Sequence, residues 1–264
     1  METVRYTTVG SGTVVPDATR GPAGHHIACG DLALLFDLGS GTLQRLAGLG
    51  IPFAALDLVA VTHRHQDHIA DLLPFLFALR HTPGIKRIRP LALVGYPGFE
   101  DDLEALGSVF GDWVMEPGFP LDVWEAEDLP VELDRDAISA SLEFRRVEHS
   151  PEAVGYRLTL NAAGREVLIA YTGDTAECAE AVELARDADL LIAECSMADE
   201  DRVPGHLTPE AVGRLAAAAS ARLVVATHFY PSALALGEAE IERRIRRHYT
   251  GPVALAVDGL EIEL

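Results

Sequence analysis

Apolar and polar positions along this chain follow two rhythms in turn. Continuous or alternating apolar runs predict strands at Thr3 to Val9, Leu32 to Leu38, Leu58 to Thr62, Leu91 to Gly95, Leu142 to Val147, Val154 to Asn161 and Glu166 to Tyr171. Further runs follow at Leu190 to Glu194, Leu223 to Thr227 and Val253 to Val257. Helical spacing appears at Gly41 to Leu49, Ile69 to Arg80, Pro97 to Phe110, Thr175 to Ala185, Pro209 to Ser220 and Glu238 to Tyr249. The pair Ala163 and Gly164 reads as a hairpin turn. Strands and helices alternate at both ends of the chain, but strand follows strand in the middle third. Two mixed sheets stacked face to face, with helices on both outer faces, accommodate both patterns, a four-layer αββα sandwich. No linker or repeat divides the chain, so residues 1–264 read as one domain. The stretch 112–136, with Trp113, Trp124 and many acids, reads as an acidic surface insertion.

Composition narrows the picture. Of 264 residues, 48% are apolar and 23% charged, which excludes a disordered or collagen-like chain. With 21 basic against 41 acidic residues the formal charge is −20, and a surface that acidic repels a polyphosphate, so nucleic acid is disfavoured as a partner. Cys29, Cys178 and Cys195 form no CxxC pair and imply neither a disulfide framework nor a thiolate metal site. The first ten residues carry no apolar signal core, and the longest greasy run, Leu72 to Leu79, is short for a membrane span and holds Pro74. A soluble cytoplasmic protein is expected, with no membrane partner.

The strongest chemical signal is Thr62-His63-Arg64-His65-Gln66-Asp67-His68, directly after an apolar strand. Three imidazoles and a carboxylate at the mouth of a strand are ligands for a borderline metal such as zinc, whereas a core gains nothing from them. His149, Asp174 and His228 each follow another predicted strand, and strand ends on one rim of a sheet converge. Seven such groups exceed one tetrahedral ion and suit two metals sharing a carboxylate.

With these residues in place the chain resembles the metallo-β-lactamase fold superfamily of metal-dependent hydrolases, whose H-x-H-x-D-H signature stands at residues 63 to 68. It is most similar to the ribonuclease Z and phosphodiesterase branch, through Gly10-Ser11-Gly12-Thr13 with Pro16, Phe36 to Thr42, Gly155-Tyr156-Arg157, and Gly205-His206-Leu207-Thr208 after Glu194. The resemblance runs from about Gly10 to Asp258. It implies the αββα sandwich and a dinuclear zinc site, with manganese or iron as alternatives. His63, His65 and His149 would hold the first ion, Asp67, His68 and His228 the second, and Asp174 would bridge them. Family resemblance also suggests a homodimer. In tRNA-processing ribonuclease Z a long arm lies between the ligands matching His149 and Asp174; here only residues 150–173 intervene, and the predicted hairpin uses most of them. The middle of His206-Leu207-Thr208 is more often serine in that enzyme.

The expectation is therefore a dinuclear metallohydrolase acting on a small or cyclic phosphodiester, by attack of a hydroxide bridging two ions roughly 3.5 to 4 Å apart. Asp67, His206 and Glu194 are the catalytic candidates, with Asp67 also a ligand and His206, oriented by Glu194, serving the leaving oxygen. Alternatives are a tRNA 3′ endonuclease, a thioester or lactone hydrolase, and a metal-free binding protein that keeps the fold. His25 and His26 read as loop residues, His81 and His248 as helix ends, and Arg243, Arg244, Arg246 and Arg247 as a solvated face. Asp37 either orients a ligand histidine or ends its strand.

Overall fold

The computed structural model describes residues 2–128, 130–162 and 164–264. Ala163 of the expected turn lies outside them; Gly164 beside it has φ +81°. In chain order the strands are β1 (Val4–Gly10), β2 (Gly24–Cys29), β3 (Leu32–Phe36), β4 (Leu58–Ala60), β5 (Leu91–Gly95), β6 (Leu121–Glu125) and β7 (Val131–Arg135). They continue as β8 (Ile138–Arg146), β9 (Val154–Ala162), β10 (Arg165–Tyr171), β11 (Leu190–Glu194), β12 (Val224–Thr227), β13 (Val253–Leu255) and β14 (Glu261–Glu263). Two seven-stranded sheets result, ordered β14-β1-β2-β3-β4-β5-β6 and β13-β12-β11-β10-β9-β8-β7. In each, an antiparallel half gives way to a parallel one, β3 to β6 in the first and β10 to β13 in the second.

The helices are α1 (Thr42–Gly48), α2 (Gln66–Ile69), α3 (Leu72–His81), α4 (Phe99–Phe110), α5 (Ala179–Leu184), α6 (Pro209–Ala219), α7 (Pro231–Leu234) and α8 (Glu238–Ile245). The parallel strands are short runs such as Leu58-Val59-Ala60, buried throughout because both faces are covered. Between the sheets, Phe36 stacks at 6.0 Å on Tyr156 and 5.7 Å on Tyr171. A second core joins β11 and β12 to α5, α6 and α8 through Leu191, Ala193, Val212, Leu215, Ile241 and Ile245. The expected αββα sandwich is the fold observed. Among the described residues no helix is long and apolar enough to cross a membrane.

Three local readings change. Within 112–136, expected as a surface insertion, β6 pairs in parallel with β5 and β7 pairs antiparallel with β8, so the stretch supplies an edge strand to each sheet. Its half-exposed, acid-rich pattern is that of sheet edges, which the eye reads as loop. His25 and His26 lie on β2 and are buried; the Gly/Pro-rich stretch ends just before them. Finally, α5 starts at Ala179 instead of Thr175, because Thr175 and Ala176 are tied to Glu148 by Glu148 N–H to Thr175 Oγ1 and Ala176 N–H to Glu148 O.

Parallel strands that all run the same way deliver their C-terminal ends to one rim. Asp37 follows β3, His63 to His68 follow β4, Asp174 follows β10, Glu194 ends β11 and His228 follows β12. The two sheets are tied together there by Tyr156 OH to Val61 O (2.8 Å) and Val154 N–H to Thr62 O (3.0 Å).

Candidate active site

Beyond β4 the chain cannot continue as strand, because His65 O accepts N–H bonds from both His68 and Ile69 and winds the short α2. That single turn points Asp67 and His68 inward. On the facing sheet, Gly173 with φ +57° makes the bend that presents Asp174, and a Cβ there would lie 2.9 Å from Thr62 Cβ.

The structure brings all seven expected ligand groups together. Ligand atoms of His63, His65, His149 and Asp174 lie within 4.8 Å of one another, as do those of Asp67, His68 and His228. Asp174 spans the two sets: its Oδ2 is 3.9 Å from both His63 Nε2 and His149 Nε2, and its Oδ1 is 3.4 Å from His68 Nε2 and 3.5 Å from His228 Nε2. His228 Nε2 also faces Asp67 Oδ2 at 3.4 Å.

Hydrogen bonds on the far side of each ring fix its tautomer. His68 Nδ1 donates to Asp37 Oδ2 (2.7 Å), and His149 Nδ1 donates to Gly205 O (2.9 Å). Thr62 OH donates to Asp37 (2.9 Å), so its oxygen accepts from His63 Nδ1 (3.0 Å). Ser196 OH donates to Glu194, so its oxygen accepts from His228 Nδ1 (3.0 Å). Each of these four imidazoles therefore turns a bare Nε2 lone pair into the cluster.

Lone pairs that face one another need a shared partner. His65 Nδ1 sits 3.0 Å from His63 Nε2 and 3.1 Å from His149 Nε2, His68 Nε2 sits 3.2 Å from His228 Nε2, and the buried Asp174 Oδ1 has no hydrogen-bond partner. A single proton cannot satisfy these contacts together, whereas nitrogen and oxygen donors of this kind around a divalent cation can. The residues fit the metal centre that the resemblance implies.

Electrostatics agree. Burial opposes ionisation of Asp174, but the His228, His68 and His63 imidazoles reverse that and hold its carboxyl well below the usual range. Burial also opposes the Asp67 carboxylate, which the neighbouring His228 and His68 imidazoles keep low. Burial pushes His63 and His149 down, towards the neutral form a ligand needs. At His68 burial is outweighed by Asp174 and Asp37, which raise it well above the ordinary value, so a cation bound there takes the place of a proton.

Glu194 and His206 are outside the seven expected ligands, although with Asp174 they form a third group whose ligand atoms lie within 4.8 Å of one another. Glu194 is buried, and its oxygens are spent on Thr175 N–H (2.7 Å), on Ser196 OH and on His206 Nδ1 (3.0 Å). Burial works against a charged His206, yet the bond to Glu194 raises its pKa. Thr208 caps α6 just beyond, accepting from Ala211 N–H at 3.4 Å, and so fixes the loop that carries His206.

Sequence reasoning left Asp37 open between two roles, and the structure settles it. Asp37 accepts from Thr62 N–H (2.8 Å), Thr62 OH, Tyr171 OH (2.6 Å) and His68, all buried. Ser196 and Tyr230 were missed. Ser196 joins the nearby Glu194 to His228, which is remote in sequence, and Tyr230 stands edge-on, 5.9 Å from the His228 ring and 6.0 Å from His206. Asp37→Ala should weaken metal binding by about 10- to 100-fold and cost about 3 kcal/mol of stability, since it strands several buried donors. Metal titration and denaturant unfolding check both; unchanged affinity would remove Asp37 from the centre.

A family profile described as "Beta-lactamase superfamily domain" matches residues 34–229. The chain belongs to that superfamily, and it is a metal-dependent hydrolase. Within the superfamily its branch is that of ribonuclease Z. It is 27% identical to ribonuclease Z of Mycobacterium marinum over 99% of both chains. It is 31% identical to that of Mycobacterium bovis over 72% of this chain and 69% of the relative. In fold it is similar to the metallo-β-lactamase fold protein YhfI of Bacillus subtilis (TM-score 0.77, 24% identity, all of both chains). The short form of human tRNase Z is also similar (TM-score 0.72, 23% identity, 98% of both chains).

These relatives overturn the expectation that nucleic acid is disfavoured as a partner, because ribonuclease Z, as its name states, acts on RNA. The inference from charge failed because −20 is an average over the surface. Many acids are neutralised locally, as in Glu177 with Arg214, Glu240 with Arg243 and Arg244, and Glu242 with Arg246, and binding responds to the local field.

Proposed function

We propose that this chain hydrolyses phosphodiester bonds in RNA as a ribonuclease Z-type enzyme, with two metal ions held by the seven ligand groups, zinc by preference and manganese or iron as alternatives. The observation that carries the reading is the His206–Glu194 pair, set beside Asp174 with His206 Nδ1 3.9 Å from Asp174 Oδ2 yet engaged by Glu194. An imidazole held this way is a proton donor next to a metal cluster, which an alkoxide leaving group requires. Bound ions would supply a nucleophile at neutral pH and draw off charge developing on the phosphoryl group. Glu194 keeps His206 Nδ1 protonated and raises its basicity, so Nε2 can carry the proton that the leaving oxygen takes. His63, His68, His149 and His228 hold their ligand tautomers, and Asp67 and Asp174 keep the negative charge facing them.

A second reading, a small or cyclic phosphodiester as substrate, is favoured by the hairpin β9–β10, which fills the interval between His149 and Asp174 without room for a long arm. The metal-loaded protein should be tested on bis-p-nitrophenyl phosphate, a precursor tRNA with a 3′ trailer, cyclic nucleotides and a thioester. Phosphodiester turnover that chelation abolishes and metal restores, with cleavage of the tRNA at one position, is expected. Selective turnover of the cyclic nucleotides would establish the second reading. Faster thioester hydrolysis than any phosphodiester turnover would overturn both.

A further inference from the structure

Cations in this acidic chain are mostly committed to acids. Arg214 grips Glu177 through Nε–Oε1 (2.9 Å) and Nη2–Oε2 (2.8 Å), Arg146 reaches Glu127, Arg243 and Arg244 of α8 pair with Glu240 and Glu200, and Arg246 and Arg247 just beyond it with Glu242 and Glu210. Arg202, like Arg165 and Lys86, is not so committed, and of the three it alone lines a cavity with His206. It is exposed, and among the described residues its side chain makes no ion pair and no hydrogen bond. It lines a cavity of about 390 Å³ between the loop before α6 and α6 itself. His206 forms part of the same wall, Val203, Pro204 and Ala211 give apolar surface, and Thr208 and the ion pair of Glu177 with Arg214 add polar groups. A second cavity, about 590 Å³, runs past His149 and shares Ala176 and Pro204 with the first. The two cavities thus adjoin at the loop 204–206, His149 lining one and the proposed proton donor the other.

From this arrangement we infer that the cavity between Arg202 and α6 receives the leaving fragment of the substrate, and that Arg202 binds a phosphate carried by that fragment. The inference rests on the phosphodiesterase reading. The group that His206 protonates must lie within hydrogen-bond reach of it, so the fragment bearing that oxygen extends along the surface His206 shares. Apolar walls of this size suit a sugar and base. A guanidinium with no acid bound to it, in the same cavity wall as His206, is the group that makes a terminal phosphate welcome. Arg214 is already held by a bidentate carboxylate and serves as wall, not as phosphate ligand.

The test compares three dinucleotides, UpU, pUpU and UpUp, with bis-p-nitrophenyl phosphate as a control for phosphodiester turnover. Product analysis of UpU shows which fragment leaves. The wild-type protein should prefer the dinucleotide whose extra phosphate falls on that fragment. Arg202→Ala should reduce this preference by about 10- to 100-fold, chiefly through KM, and Arg202→Lys should restore part of it. The salt dependence of KM for the preferred dinucleotide should become shallower by about one phosphate contact in Arg202→Ala. Full retention of the preference in Arg202→Ala, or an equal loss on all three dinucleotides, would overturn the subsite alone. Failure of the metal-loaded wild type on every phosphodiester, the control included, would remove the phosphodiesterase reading and the subsite with it.

Discussion

Asp174→Ala is expected to reduce metal content from about two ions per chain to one or none, and to lower turnover by about 10³-fold or more. The size follows from position. Asp174 is the group that faces both ligand sets, one carboxylate oxygen towards His63 and His149 and the other towards His68 and His228. Without it each set keeps only the ligands of its own side, and facing imidazoles lose the nearest anion. The loss should differ in kind from that of His65→Ala, which touches one set through Nδ1 and should remove one ion in preference to the other. Elemental analysis of purified, folded variants reads the ion count directly, and thermal unfolding with and without chelator reads it independently. Chelation should lower the wild-type melting temperature by more than that of Asp174→Ala. A folded Asp174→Ala protein that still carries two ions would refute the shared-carboxylate arrangement.

His206→Ala should behave differently, keeping both ions while losing activity according to the leaving group. On an alkyl phosphodiester or an RNA linkage the loss should be about 10² to 10⁴, the usual contribution of a positioned acid. On p-nitrophenyl esters, whose phenolate leaves unaided, it should be much smaller. Glu194→Gln should show the same dependence in milder form, because Glu194 acts on the leaving group through His206. It also accepts from Thr175 N–H and Ser196, so some loss common to both substrates is expected. Equal losses of His206→Ala on the two substrate types, with both ions retained, would remove the leaving-group role. Loss of an ion would make His206 a ligand.

Much of this site was legible before any coordinates. The residues 63 to 68 declare metal chemistry because ligands from one loop are neighbours in sequence as well as in space. The strand-end positions of His149, Asp174 and His228 are equally local facts; parallel strands bring the last two to one rim, and β8 carries His149 there because two antiparallel pairings align it with β10. The apolar runs of β4, β5, β11 and β12 are readable for a similar reason: strands covered on both faces are buried at every position and are apolar along nearly all their length.

Other features depend on contacts between segments far apart in the chain. Strands β6 and β7 carry edge patterns that pair only because β5 and β8 offer them partners, so a run of acids and tryptophans gave no local sign of sheet. His25 became a core residue through Tyr6 OH at 2.9 Å and the Tyr171 ring at 4.8 Å, contacts that composition around it concealed. The charge total misled in the same way, since ion pairs such as Glu177 with Arg214 join distant residues and leave Arg202 free beside His206. Which groups can bind metal, and which strands deliver them, is already written in the chain, because ligand chemistry and strand hydrophobicity are local properties. Which nitrogen of His68, His149 and His228 faces the cluster depends on the folded arrangement, because Asp37, Gly205 and Ser196 reach those rings through packing of the two sheets and loops, and hydrogen bonds of that kind leave no periodic trace in a chain.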